Sequence, residues 1–294
     1  MPRKYTIRNF ETDFPDDKAC LAYLFKARWP QGVTCSKCGF ATKHSPRSTQ
    51  RAYACNYCGT LVFPTAGTIF HKSPTPLRLW FYAMYLMAST RCGISAKQLE
   101  RELGVTYKTA WRMFKQIRTL MEEDSHDLNG PVEMDETYIG GFRKPKKVVA
   151  GIVERRGRVT ARVTSDVKAR TLLPMLWKRV KPHEQHIVYT DELASYNRLG
   201  WLGYQHATVR HSANVYVSGD AHTNTIEGFW SLVKNGIRGV YHAVGPDYLQ
   251  SYLDEYVFRY NHRKDQESMF EVLLARVPVV AVLPAGVSAE TPSA

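Results

Sequence analysis

The 294 residues are 44% hydrophobic and 23% charged, ample apolar content for a real core and more than a disordered chain carries. Forty Lys and Arg stand against 27 Asp and Glu, and the resulting +13 favours a polyanionic partner, nucleic acid before others. The opening MPRKYTIRNF lacks the apolar core of a signal peptide, and the apolar run at 77–88 falls short of the ~20 residues of a membrane span, so neither export nor membrane insertion is expected.

In chain order, PDDKACLAYLFKARWP (15–30) predicts a short helix with Pro15 and acids at its start. Leu21, Leu24 and Phe25 share one face, suited to packing on the cysteine-bearing segment after it. That segment holds two CxxC pairs, Cys35 and Cys38, then Cys55 and Cys58, sixteen residues apart and each followed by Gly. The spacing lets four thiolates close a tetrahedron around Zn(II) in a ribbon; a redox CxxC is the alternative. A closed four-thiolate site leaves no position open for substrate, so this zinc holds a fold. Cys20 and Cys92 are left over and read as buried thiols.

Thr75 and Pro76 open an apolar, buried helix. Residues 95–120 then read as two helices about Gly104, with Ala110, Phe114 and Ile117 at helical spacing. As a helix-turn-helix this pair turns Tyr107, Lys108, Thr109 and Arg112 to a major groove and Lys115 toward phosphate; an ordinary helical hairpin gives the same pattern. The basic second helix and the neighbouring ribbon favour DNA.

A polar stretch at 121–133 marks a boundary, and the pattern changes beyond it. VEMDETYIGG predicts a strand with Glu133 and Asp135 on one face and Glu136 on the other. VVAGIV and VTARVT flank the turn ERRGR as a hairpin. KARTLLPMLWKRV is an amphipathic helix that Pro174 bends or starts late. A strand at Ile187–Thr190 ends at Asp191, QHATVRH is a weaker strand, and a helix with Glu227 comes after the loop SGDAH. This order predicts an α/β domain, a mixed sheet with flanking helices.

Glu227 threads a charge through an apparent apolar stripe, between Ile226 and Phe229. If Asp135, Asp191 and Glu227 converge at the sheet edge, their oxygens suit two Mg(II) or Mn(II) ions ~4 Å apart, which would offset the burial of that Glu. Trp230 and Phe229 read as core, and His222 and His242 as structural or DNA-facing. The runs RKPKK (143–147) and ERRGR (154–158) ordinarily sit solvated on loops; here they would neutralise phosphate.

From RWPQG through DETYIGG to HTNTIEGFWSLVKNGIRGVYH and YLDEYVFRYNHR, the chain resembles the zinc-ribbon DDE transposases of bacterial insertion sequences, a group related to Merlin-type elements. Fifty-five residues separate Asp135 from Asp191 and 35 separate Asp191 from Glu227, the second interval being typical of DDE enzymes. The resemblance implies a ribonuclease-H-like catalytic domain with two Mg(II) that hydrolyses a strand at the element's ends and joins the freed 3'-hydroxyl to target DNA. It also implies a DNA contact near the cut by Lys234 and a homodimer or larger assembly on DNA in the bacterial cytoplasm. Some relatives use Asn in this region, which makes Asn224 the alternative to Glu227 as third ligand; Glu133 is a neighbouring acid that supports the others or competes with them.

The expected organisation is a helical segment (1–32), the ribbon (33–66), a helical domain (67–128), the catalytic domain (129–276) and a tail (277–294) without order at its end. Two other functions fit the same motifs: a DNA-binding regulator derived from a transposase, and a metal-dependent nuclease that does not join strands.

Overall fold

The computed structural model describes residues 5–123, 127–140, 146–182, 187–209 and 222–278. They form two compact units, Met1–Leu120 with Asp265–Ala294, and Met121–Lys264. Residues 143–145 of the basic run, 218–221 of SGDAH and 279–294 of the tail lie outside the described residues.

The first unit opens with α1 (Ile7–Asp13), a helix too short for the sequence pattern to reveal; Thr6 and Asn9 close a capping box at its start. Helix α2 (Asp17–Arg28) is capped by Asp16, whose carboxylate accepts the Ala19 N–H at 2.8 Å. It packs on a three-stranded antiparallel ribbon, β1 (His44–Pro46), β2 (Tyr53–Cys55) and β3 (Leu61–Val62). Phe25 stacks on Tyr53 with ring centroids 4.0 Å apart, and the Arg28 guanidinium donates to the carbonyls of Pro64 and Ala66.

Asp17 caps a different helix. Its carboxylate accepts the N–H groups of Leu77 and Arg78, which open α3 (Leu77–Ser89) without a side-chain cap of their own. Trp80, Phe81, Met84 and Met87 of α3 are fully buried. Helices α4 (Ala96–Leu103) and α5 (Tyr107–Thr119) come next, each capped by a hydroxyl, Ser95 and Thr106, and joined through Gly104 in the left-handed conformation.

The second unit is built on a five-stranded sheet. Its strands are β4 (Val132–Ile139), β5 (Lys147–Glu154), β6 (Val159–Thr164), β7 (Ile187–Thr190) and β8 (Gln205–Thr208), in the order β6-β5-β4-β7-β8. The first three form an antiparallel meander, whereas β7 and β8 lie parallel to β4 and to each other. This is the ribonuclease-H-like arrangement, with the first strand of the unit at the sheet's centre.

Alternation along β4 divides the unit into two cores. Val132 and Met134 pack with Leu172 and Leu176 of α6 (Ala169–Arg179). On the other face Val149, Val153 and Ala161 meet Ile226, Phe229, Trp230 and Val233 of α7 (Asn224–Gly236) and Leu253 and Tyr256 of α8 (Leu249–Asn261). Helix α6 spans Pro174 without starting late; the sixth position costs it one backbone donor, and its buried leucines hold the segment helical.

Edge strand β6 is closed by amide side chains of α8. Asn261 accepts the Val159 N–H at 2.7 Å and donates to the Val159 carbonyl at 3.0 Å, while Gln250 accepts from Val163 and donates to Ala161. An edge so occupied cannot recruit another strand.

The chain then rejoins the first unit. Helix α9 (Met269–Arg276) inserts Phe270 among Phe10, Phe14 and Tyr85, and Arg276 donates to the Leu120 carbonyl. The catalytic segment expected to run to 276 therefore ends before this helix, because a buried aromatic on α9 finds its partners on α1 and α3. Among the described residues no helix is long and apolar enough to cross a membrane.

Candidate metal centre and active site

In the ribbon, Gly39 and Gly59 take positive φ and donate back to the carbonyls of Cys35 and Cys55, so each CxxC curls and turns both thiols to one point. The four sulfurs lie within 4.8 Å of one another, with Cys35 and Cys58 3.5 Å apart and Cys38 and Cys55 3.8 Å apart. A tetrahedron with Zn–S of ~2.3 Å requires sulfurs ~3.8 Å apart. The cage fits zinc. The Thr42 hydroxyl, and then the Cys58 amide, draw the Cys55 thiol down to about 6, favouring the thiolate a metal needs. Of the two leftover cysteines Cys20 is buried, but Cys92 is exposed, because it falls beyond the end of α3 and not in it.

In the second unit Asp135 lies on central β4 and Asp191 directly follows β7. Val132 pairs with Val188 and Glu133 with Tyr189. Carried two residues on, this parallel register sets Asp135 level with Asp191, on strands ~4.8 Å apart. The Asp191 carboxylate accepts the Leu193 N–H at 3.0 Å, which turns the chain as it leaves the strand.

Asp135 is held from the helix side. The ring N–H of Trp230 donates to its carboxylate at 2.9 Å. Trp230 reaches it across Gly151, the residue paired with Asp135 on β5; a Cβ there would stand 2.7 Å from the indole ring. Burial pushes the Asp135 carboxyl up to about 6; the charge of Asp191 adds to this, the Trp230 N–H opposes it, and Glu227 raises it further. Asp135 therefore lies in the field of both other acids.

Glu227 itself sits in the first turn of α7 and is exposed, beside the buried stripe of Ile226, Phe229 and Trp230 and not within it. The expected burial is thus corrected: one residue's rotation from Ile226 brings Glu227 to the open side of the helix. Its carboxylate accepts the Thr223 hydroxyl at 2.8 Å, turned back toward the helix start. Among the described residues the four cysteines alone bring three or more potential ligand atoms within 4.8 Å of one another, so the three carboxylates stand wider than that. Asn224 is the exposed first residue of α7, and Lys234, half-buried, lies two turns beyond Glu227.

Glu133 is completely buried, and its partners show why. Its carboxylate accepts the free N–H groups of Thr225 at 2.8 Å and Ile226 at 3.0 Å, the Thr225 hydroxyl at 2.9 Å and the Arg155 guanidinium at 2.8 Å. Strand β4 thereby caps the helix that bears Glu227, where the dipole favours an anion. His222 stands 3.2 Å from the same carboxylate, a structural placement. Arg155, expected on a solvated or phosphate-facing loop, is turned inward: it also donates to the His222 carbonyl and lies 3.8 Å over the Tyr189 ring. Glu136 points to the opposite face, where the Tyr196 hydroxyl donates to it at 2.6 Å; burial lifts its carboxyl to about 7.

Along α5, Tyr107, Lys108 and Lys115 are exposed, and Thr109 stands beside the capping Thr106. Arg112 is not offered to a groove: its guanidinium donates to Ser73 at 2.9 Å and lies over Trp80. Sequence spacing alone cannot separate it from the outward residues, since the partner lies 39 positions away.

A family model described as the ISXO2-like transposase domain matches residues 127–261, and one described as the transposase zinc-ribbon domain matches 15–60, which takes in α2 as well as the ribbon. An uncharacterized protein in transposable element ISH50 of Halobacterium salinarum is 26% identical over 276 residues, 84% of this chain and 91% of that one. An uncharacterized transposase-like protein of Haemophilus influenzae is 30% identical over 114 residues, 38% of this chain and 89% of that one. Among solved structures, a chain of the simian T-cell lymphotropic virus intasome in complex with PP2A regulatory subunit B56 gamma matches 65% of this chain and 74% of its own, at 14% identity and a TM-score of 0.33, too slight a likeness to carry weight. This chain belongs to the ISXO2-like transposase family, with that family's zinc ribbon ahead of its transposase domain.

Proposed function

We propose that this transposase binds the ends of an insertion sequence, hydrolyses a phosphodiester there and transfers the freed strand to target DNA. What supports the reading is Asp135 on β4 and Asp191 one residue past the neighbouring parallel strand β7, with Glu227 on a helix pinned to β4 by Glu133. Oxygen donors of this kind fit Mg(II) or Mn(II), and the burial that chiefly lifts the Asp135 carboxyl, with the charge of Asp191 added, is a cost that a bound dication would offset. Asp135, Asp191 and Glu227 would hold two such ions, which when bound activate the attacking oxygen and steady the leaving one.

The protein's own part is positional. Trp230 holds one Asp135 oxygen, and Glu133 fixes the start of α7; on this reading Glu227 would leave the Thr223 hydroxyl to join the two aspartates. Glu227 is favoured over Asn224 because a carboxylate binds a hard dication better than an amide, which leaves Asn224 as the helix's first residue. Lys234 would neutralise phosphate beside the cut. Tyr107, Lys108, Thr109 and Lys115 of α5 supply candidate contacts to the element end, and assembly of two ends requires at least a dimer.

The test supplies purified protein with Mg(II), a labelled duplex carrying the terminal repeat that flanks the reading frame, and a supercoiled target. Joined product supports the proposal. Cuts without joining would make the protein a nuclease, and binding with neither would make it a regulator.

A further inference from the structure

Beyond Lys234 the chain leaves ordinary helical geometry. Residues Ile237–Tyr241 form a π-helical turn, and His242 comes next at φ 60 and ψ −48, a conformation that strains a residue with a Cβ. The turn is braced from α8, where the buried Glu255 carboxylate accepts the Tyr241 hydroxyl at 3.0 Å and the Arg259 guanidinium at 2.8 Å. Residues of this turn line a cavity of about 350 Å³ together with the end of β4, the start of β5 and the loop before α8. Its floor is apolar, made by Ile139, Ile237 and Leu249, and Lys147, Lys234 and Arg238 line it with positive charge. Tyr138, largely exposed, lies at the mouth.

We propose that this cavity receives one unpaired nucleotide of the DNA strand lying across the acids, its base on the apolar floor and its phosphate among Lys147, Lys234 and Arg238. The inference deepens the transposase reading and rests on it. A cavity of this size is at the lower end of the range for small-ligand sites, enough for a single base and too small for a base pair. Three cations around an apolar floor match a nucleotide's two halves. Seven residues of helix from Glu227 to Lys234 span ~10 Å, which places the cavity within about three stacked nucleotide steps of the cut. Taking a base out of the stack there would free the strand end to reach the carboxylates.

The test places 2-aminopurine, whose fluorescence rises when it unstacks, at each of the three positions nearest the cut in the terminal-repeat duplex. The full chain is added without divalent ions. The expected result is a several-fold rise at one position, retained by Asp135→Asn, abolished by Ala243→Trp, which fills the cavity, and reduced by Arg238→Ala, a surface change. Fluorescence that stays quenched at every position, or that rises equally with Ala243→Trp and Arg238→Ala, would overturn the proposal. Cleavage in Mg(II) is scored separately. Cleavage without a fluorescence rise removes the cavity's role and leaves the transposase, whereas a cavity-dependent rise without cleavage keeps the nucleotide site and removes the catalytic reading.

Discussion

Trp230 belongs to the buried stripe of α7, yet its ring nitrogen ends on the carboxylate of Asp135. The sequence made Asp135 and Asp191 legible because each sits where a strand pattern is interrupted by an acid. It gave no sign of this hydrogen bond, since a Trp in an apolar stripe reads as core and the gap that admits it is a glycine on another strand. The burial that pushes the Asp135 carboxyl from 3.8 to about 6 has a cost that can be measured. Between those values the folded chain keeps a proton that the unfolded chain has released, so stability falls as pH rises through the window. By pH 7 the charge costs the metal-free fold at most roughly 3 kcal/mol. Asp135→Asn should therefore melt higher than the natural protein at pH 7 without divalent ions, and the difference should shrink to a small remainder at pH 3.8, read by calorimetry. Equal melting at both values would contradict the buried charge.

At the scale of elements, the capping of α7 by Glu133 couples the sheet to the helix that carries the third acid. Strand alternation put Glu133 on the face of Asp135, but its partners lie 92 and 93 residues further on, a distance that local pattern does not bridge. Glu133→Gln keeps the shape and removes the charge that faces both the helix amides and Arg155. The expected loss is roughly 1–3 kcal/mol of stability in urea unfolding, with cleavage slowed about tenfold to a hundredfold. A variant that loses stability and still cuts at the full rate would reduce Glu133 to a structural residue. The same limit explains α9: only Phe270 meeting Phe10 and Phe14 shows which unit owns it.

For the whole molecule, a sulfur cage in the first unit stands apart from the oxygen site proposed for the second. The four cysteines were fully legible because their spacing alone closes the cage; the acids were legible as positions but not as a closed set, since Glu227 is turned to Thr223. Cys38→Ser should release zinc, measured by elemental analysis, and unfold the ribbon, while Asp135→Asn should retain its zinc. Zinc content and stability unchanged in Cys38→Ser would refute the structural role. The central claim is that Asp135, Asp191 and Glu227 close on divalent cations. Its most direct test is anomalous diffraction from crystals of the protein soaked in Mn(II). The account predicts manganese peaks among these three carboxylates, with Glu227 released from Thr223; manganese absent there, or bound without Asp135 and Asp191, would contradict it.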